Sequence, residues 1–400
     1  NGEIMKDIGE ILEYIEDNGV KFVKLSFCDI LGRHKNVSVN ASHFGEAAEG
    51  FVIDPLPFGQ ECGDLLLLPR PETFTPMPWR PAAGAVVSVM CRILRADGKP
   101  FGCDCGTILE DADKRFTERT GCSVRFMTES EFYIFRLDEN GDPMLVPVDS
   151  AGYLDAAPRD RCENLRRDIV FNLETMGMQP LSSHHEKGKG QNAVIFRACA
   201  PYMSAVNTVL FRSAVRNIAY ANGLYASFAP CPMDGDIGSN FRVVARISRA
   251  GKQADIKDAE AFARGIRAHM HEMAAFTNPV GNSYDRLALP SAPCGNGSDD
   301  RRDAVIVHGD GKVEIMFADT ACNPFTALSL MLAAGADGMS GAKLPAPLPM
   351  PASLGAALDI AENSEFVARN LPDEYLKSYF AYKRRLAART GREDVLAAGY

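Results

Sequence analysis

The stretch Phe126-Met127-Thr128-Glu129-Ser130-Glu131-Phe132-Tyr133-Ile134-Phe135 constrains the chain most. Its aromatic and β-branched residues favour a strand. Side chains alternate between the two faces of a strand, so Glu129, Glu131 and Tyr133 share one face while Phe132 and Ile134 take the other. Carboxylates at i and i+2 stand about 7 Å apart. In a half-buried strand they repel each other and resist desolvation, so a positive partner is required. That partner is either a divalent cation held by oxygen ligands or an arginine. The alternative is an exposed strand face with ordinary surface charges.

The chain has 400 residues, more than one ordinary domain, and its 46% apolar content suffices for a large core. Net charge is −9 without long single-sign runs, which argues against nucleic acid or an anionic membrane as partner. The sequence contains neither a transmembrane-length apolar run nor a signal-peptide pattern, so the expected location is the cytoplasm. The eleven cysteines are scattered and read as reduced thiols. Cys103 and Cys105 lack the second pair that a zinc site needs.

Residues 4 to 17 have helical spacing, and 20 to 29 with 34 to 39 read as a hairpin beside a solvated His34. Proline density from 42 to 82 predicts a loop-rich region with one short buried strand. Asp97-Gly98 marks a turn, giving a small α+β domain over 1–96 and a second, α+β domain over 97–400. Helices are expected over 107–119, 162–176, 206–222, 258–275 and 323–336, and the last 45 residues are helical in pattern. Lys187 to Asn192, with two Gly and two Lys, suggests an anion-binding turn.

The order of motifs resembles the glutamine synthetase family. The resemblance rests on Glu129-Ser130-Glu131-Phe132, His184-His185-Glu186 with Gly190-Gln191, Gly235-Asp236-Ile237-Gly238-Ser239, Asn278-Pro279 with Asn282-Ser283-Tyr284-Asp285-Arg286-Leu287, and Lys312 to Asp319 followed by Asn323-Pro324-Phe325. Each match alone is weak, but five in order over nearly the whole chain are specific. The family implies a β-grasp N-terminal domain, then a catalytic domain on a curved antiparallel sheet with surrounding helices. It implies homo-oligomeric rings, hexamer-based or dodecameric, with active sites between neighbouring subunits. Its reaction uses ATP and Mg or Mn: the γ-carboxylate of glutamate is phosphorylated and an amine displaces phosphate. Divalent cations and arginines offset the anionic charge of such a transfer.

Carried over by position, Glu131 and Glu186 correspond to two carboxylates of the first metal, and the third falls on Ala193. Glu129 and Glu314 correspond to ligands of the second, whose histidine falls on Arg242; Val244 stands at the other histidine of that pair. Occupancy of the second metal site is therefore in doubt, and the resemblance makes Arg242 a metal-site substitute whose guanidinium should lie within about 3.2 Å of Glu129 or Glu314. Gly238 corresponds to a substrate-amino contact and Arg286 to the grip on the substrate carboxylate. Arg302 corresponds to a catalytic, ATP-side arginine and Lys312 to another ATP-binding base. Val307 and Met316 replace further arginines, and Ala292 replaces a flap glutamate. Asp54 aligns with the acid of the ammonium site, although Pro55-Leu56-Pro57 departs from the family there. Two readings stay open: a ligase joining a carboxylate to an amine other than ammonia, and a family member without catalysis that has a structural or regulatory role.

Overall fold

A computed structural model describes residues 5–59, 62–80, 84–296 and 302–388. The chain begins with helix α1 (Ile8–Asp17), capped by the Asp7 carboxylate accepting from the Glu10 amide. A small sheet follows: β1 (Phe22–Cys28), β2 (His34–Asn40), a short helix α2 (Phe44–Ala48), β3 (Phe51–Ile53), β4 (Leu65–Pro69), β5 (Thr75–Pro76) and β6 (Val86–Arg95). The order is β2-β1-β6-β4-β3, with β5 on β6. β1 and β6 pair in parallel, which a simple hairpin cannot achieve, so the helix and loops between them form the crossover. The proline-rich segment holds three short strands where a single one is expected, because β4 and β5 pair with β6 and β3 pairs with β4.

The second part opens with α3 (Cys105–Thr120), ended by Gly121 at φ 66°. A larger antiparallel sheet is built from β7 (Cys122–Ser130), β8 (Phe132–Leu137), β9 (Pro143–Pro147), then, after α4 (Glu163–Thr175), β10 (Pro180–His185) and β11 (Gln191–Phe196). After α5 (Pro201–Ala221) come β12 (Leu224–Ser227), β13 (Phe241–Arg249) and β14 (Lys252–Gln253). Helices α6 (Ile256–His269), α7 (Ala274–Thr277) and α8 (Gly281–Ala288) precede β15 (Val305–Val307) and β16 (Lys312–Ile315). Helices α9 (Pro324–Met339), α10 (Leu354–Glu362), α11 (Glu365–Asn370) and α12 (Asp373–Ala387) complete the described chain. The main strand order is β12-β8-β11-β7-β13-β16-β15. Among the described residues no helix is long and apolar enough to cross a membrane.

The apolar faces explain the layering. Phe132, Phe196 and Phe228 point from the sheet onto Phe211 of α5, with ring centroids 5.2–5.9 Å apart. α6 and α9 approach so closely that a Cβ on Gly265 would meet the Ala334 carbonyl at 1.9 Å. One on Gly338 would meet the Ala261 carbonyl at 2.0 Å. Helix α9, almost wholly buried, thereby becomes the spine behind the sheet.

Several expectations need correction. The 126–135 strand is interrupted at Glu131, where β7, paired with β13, gives way to β8, paired with β12. The helix expected from 206 starts at Pro201, where a proline without an N–H is tolerated in the first turn. The helix expected to run to 275 stops at His269 and resumes at Ala274. The 187–192 turn is no open anion cradle: Gly188 N–H donates to Gln191 Oε1 and Gly190 N–H to Asp149. His34 is not solvated; its Nε2 is buried.

Candidate active site

One face of the large sheet brings the notable side chains together. Register places Glu129 of β7 opposite Arg242 of β13, and Glu314 of β16 opposite Val244. Period-two alternation puts Arg242 on the same face as Val244, hence beside both glutamates. Arg242 Nη1 donates to Glu129 at 2.6 Å and Nε to Glu314 at 2.5 Å. The other Glu314 oxygen lies 2.8 Å from His308 Nε2. The result is a continuous row Glu129–Arg242–Glu314–His308 with the guanidinium between two carboxylates.

The two acids respond differently to the same arginine. Burial dominates at Glu129, backed by the nearby Glu186 charge, and its carboxyl titrates above the usual range despite Arg242. Burial also opposes ionisation at Glu314, but Arg242 and then His308 outweigh it, so that carboxyl titrates low. Among the described residues no other base reaches these two acids within salt-bridge distance. A cation placed between them would meet the guanidinium, so this donor set does not fit a second divalent ion.

A second cluster lies beside the first. Glu131 accepts from the Asn240 amide and side chain at 2.9–3.2 Å and from Gln191 Nε2 at 3.1 Å. Burial, then the neighbouring Glu186, push its carboxyl up to about 8. His184 Nε2 is 2.7 Å from Glu186, which raises the imidazole above its ordinary range. Ligand atoms of Glu129, His184 and Glu186 lie within 4.8 Å of one another. The two carboxylates suit a divalent cation such as Mg or Mn, and the imidazole adds a nitrogen ligand. Ala193 sits directly across from His184 in the β10–β11 register.

The remaining expected residues divide. Gly238, Arg286 and Arg302 join Glu131 and Glu186 around a cavity of about 60 Å³, room for roughly two waters. Ala292 lines it where a flap glutamate is absent. A Cβ on Gly238 would meet Arg286 Cγ at 2.4 Å, so glycine there is a packing requirement. Arg286 spends most of its donors on the backbone: its Nε donates to the Ser239 carbonyl and its Nη2 to those of Met316, Phe317 and Ala318. Among the described residues Nη1 has no partner. Lys312, two residues before Glu314 on β16, pairs with Asp310. Val307 packs against the apolar core, and Met316 is buried. Asp54 lies exposed after β3 of the small sheet, where its carboxylate accepts from the Leu56 amide at 2.7 Å.

His184 and His308 were not among the expected site residues. His184 was legible as the cross-strand partner of Ala193 once β10 and β11 were paired. His308 has no such signal, because it follows β15 in a turn whose direction depends on tertiary contacts.

Family models for the glutamine synthetase catalytic domain and the glutamine synthetase beta-Grasp domain match residues 104–394 and 19–96. The chain belongs to the glutamine synthetase family. It is 34% identical over 416 residues to the glutamine synthetase of Methanosarcina mazei, covering 94% of this chain and 92% of the relative. Identity to the Clostridium saccharobutylicum enzyme is also 34%, over 98% of this chain and 92% of the relative. Solved structures titled "Apo GmaS without ligand" and "GmaS/ADP complex-Conformation 1" superpose with TM-scores of 0.82 and 0.83 at 23% identity, over 95% of both chains. They share the glutamine synthetase fold: the β-grasp unit followed by the curved sheet and its helices.

Proposed function

We propose that the chain is an ATP-dependent carboxylate–amine ligase of glutamine synthetase type whose amine is not ammonia. The observation that carries this is the convergence of Glu129, His184 and Glu186 on one point of the sheet, beside a fixed Arg242 charge. Bound ATP with a divalent cation would supply the phosphoryl group that makes the carboxylate an acyl phosphate. Glu129, His184 and Glu186 would hold one such cation. Arg242 keeps a permanent positive charge where relatives place a metal-binding histidine, and Arg302 adds one at the cavity mouth. With Ala292 at the flap position and Pro-Leu-Pro after Asp54, the flap glutamate and the ammonium-site loop are lost while Asp54 remains, which suits a changed nucleophile. Asp54 would act on a neighbouring subunit's site in a ring; a monomer in light scattering would count against that arrangement.

A second reading, a family member without catalysis, is favoured by Arg286, whose donors to four carbonyls leave one nitrogen for a substrate carboxylate. Release of ADP from Mg-ATP, measured across carboxylates and primary amines, separates the two. ADP release that needs both co-substrates supports the ligase. Absence of nucleotide turnover with every pair supports the silent reading.

A further inference from the structure

A cavity of about 450 Å³ lies away from the catalytic face, between the small sheet, α5 and α12. Lys24, Arg33 and Lys35 line it from β1, β2 and their turn, Arg80 from the segment before β6, and Arg212 and Arg216 from α5. No carboxylate lines it among the described residues. Clustered cations repel one another, and the cavity records this. Arg216 is held down to about 10 by burial and the adjacent Arg212. Lys24 is lowered by burial and Arg80.

The decisive observation is Arg212. It is 8% exposed; Nη1 donates to the Cys322 carbonyl at 3.0 Å, the Cys322 thiol lies against the same guanidinium, and the Phe241 ring centroid is 5.8 Å from Cζ. Its Nε and Nη2 are buried without a hydrogen-bond partner, as is Nε2 of His34 in the same wall. Buried guanidinium donors left unpaired are costly, and most buried donors in folded proteins are satisfied. Asp319 feels the Arg212 charge yet forms no ion pair with it within 4 Å. Asp29 also lies close enough to influence Arg33, but among the described residues the one ion pair within 4 Å made by these cations is Lys35 with Asp29, at a marginal 3.9 Å.

We propose that this cavity binds a small phosphate-bearing polyanion, with Arg212 and Arg216 as its buried anchors and Lys35 at its edge. A phosphoryl group presents up to two charges and three acceptor oxygens, so one ligand can satisfy donors converging from several walls. A carboxylate presents its charge in one plane and suits a single fork. This site is independent of the ligase reading.

Trp79 is the chain's single tryptophan and lines the cavity, so its emission reports on this site. The full chain is titrated with inorganic pyrophosphate at constant ionic strength, and in parallel with citrate. The expected result is a saturable change in Trp79 emission, with pyrophosphate binding tighter than citrate. Arg216→Gln and Lys35→Gln, which spare the buried Arg212, should each weaken binding about tenfold. Arg302→Ala, at the catalytic face, should leave it intact. The proposal is overturned by the absence of saturation, by affinity unchanged in both α5 and β2 variants, by tighter citrate binding, or by loss of the response in Arg302→Ala.

Discussion

Two acidic clusters share one sheet, yet they are neutralised in different ways. Glu129 and Glu314 flank a guanidinium supplied by the chain itself. Glu131 is held by the neutral amides of Asn240 and Gln191, with Glu186 close enough to raise its titration. If Arg242 and Ala193 replace metal ligands, as proposed, the difference gives such a loss two structural outcomes. At Arg242 the replacement carries the charge an ion would bring, so the acids stay paired. At Ala193 it carries none, so the cluster retains surplus negative charge and the capacity to attract a cation.

If that contrast governs chemistry, the largest effect is on glutamine formation itself. On the proposed correspondence Val307 and Met316 replace two cationic donors that would stabilise a transferring phosphoryl group, and each such loss typically costs on the order of 10²-fold. A coupled assay with glutamate, ammonia and ATP should give turnover roughly 10⁴-fold below ordinary synthetases of the family. Ordinary turnover would mean that Arg242 and Arg302 suffice.

The next largest effect concerns Arg242→Ala. Removing one partner of a buried pair typically costs 3–5 kcal/mol, and with Arg242 29% exposed we expect about 3 kcal/mol in urea unfolding. Millimolar magnesium should restore part of that loss, since the freed acids then need an ion. A variant as stable as the parent would break the contrast. Asn240→Ala, at the other cluster, should cost less, about 1–2 kcal/mol, because the lost donors are neutral. An equal or larger cost would show that the amides, not the arginine, hold this face.

The smallest effect serves as a reference from the helical side. His269 stands between Glu272 at 2.6 Å and Asp337 at 3.3 Å. Burial disfavours its charged form, but the two acids outweigh burial and its pKa is raised. Its contribution is therefore fully present below about pH 6.5, the unfolded value, and is lost as pH rises through the folded value. His269→Gln should lower the melting temperature at pH 6 more than at pH 9. A pH-independent difference would mean packing against Phe366 is its main role.

Much of this was legible in residue order. The Glu129 and Arg242 positions were readable because both lie on strands, where alternation fixes the face and motif order fixes the pairing. The break at Glu131 was not readable: Phe126 to Phe135 is uniformly strand-like, and only the change of partner strands interrupts it. Arg286 shows a different limit. Its position was clear from the Asn-Ser-Tyr-Asp-Arg-Leu segment, but its hydrogen bonds go to carbonyls of residues 239 and 316–318, which no local pattern reveals. His34 failed for a similar reason, since its surroundings come from α5 and α12.

The central claim is that Arg242 stands in for one of two metal ions. Counting manganese ions bound per chain by paramagnetic resonance tests it most directly. The account predicts one ion at Glu129, His184 and Glu186 in the parent chain, and a second in the Arg242→His, Ala193→Glu double variant. Two ions in the parent, or an unchanged count in the double variant, would contradict it.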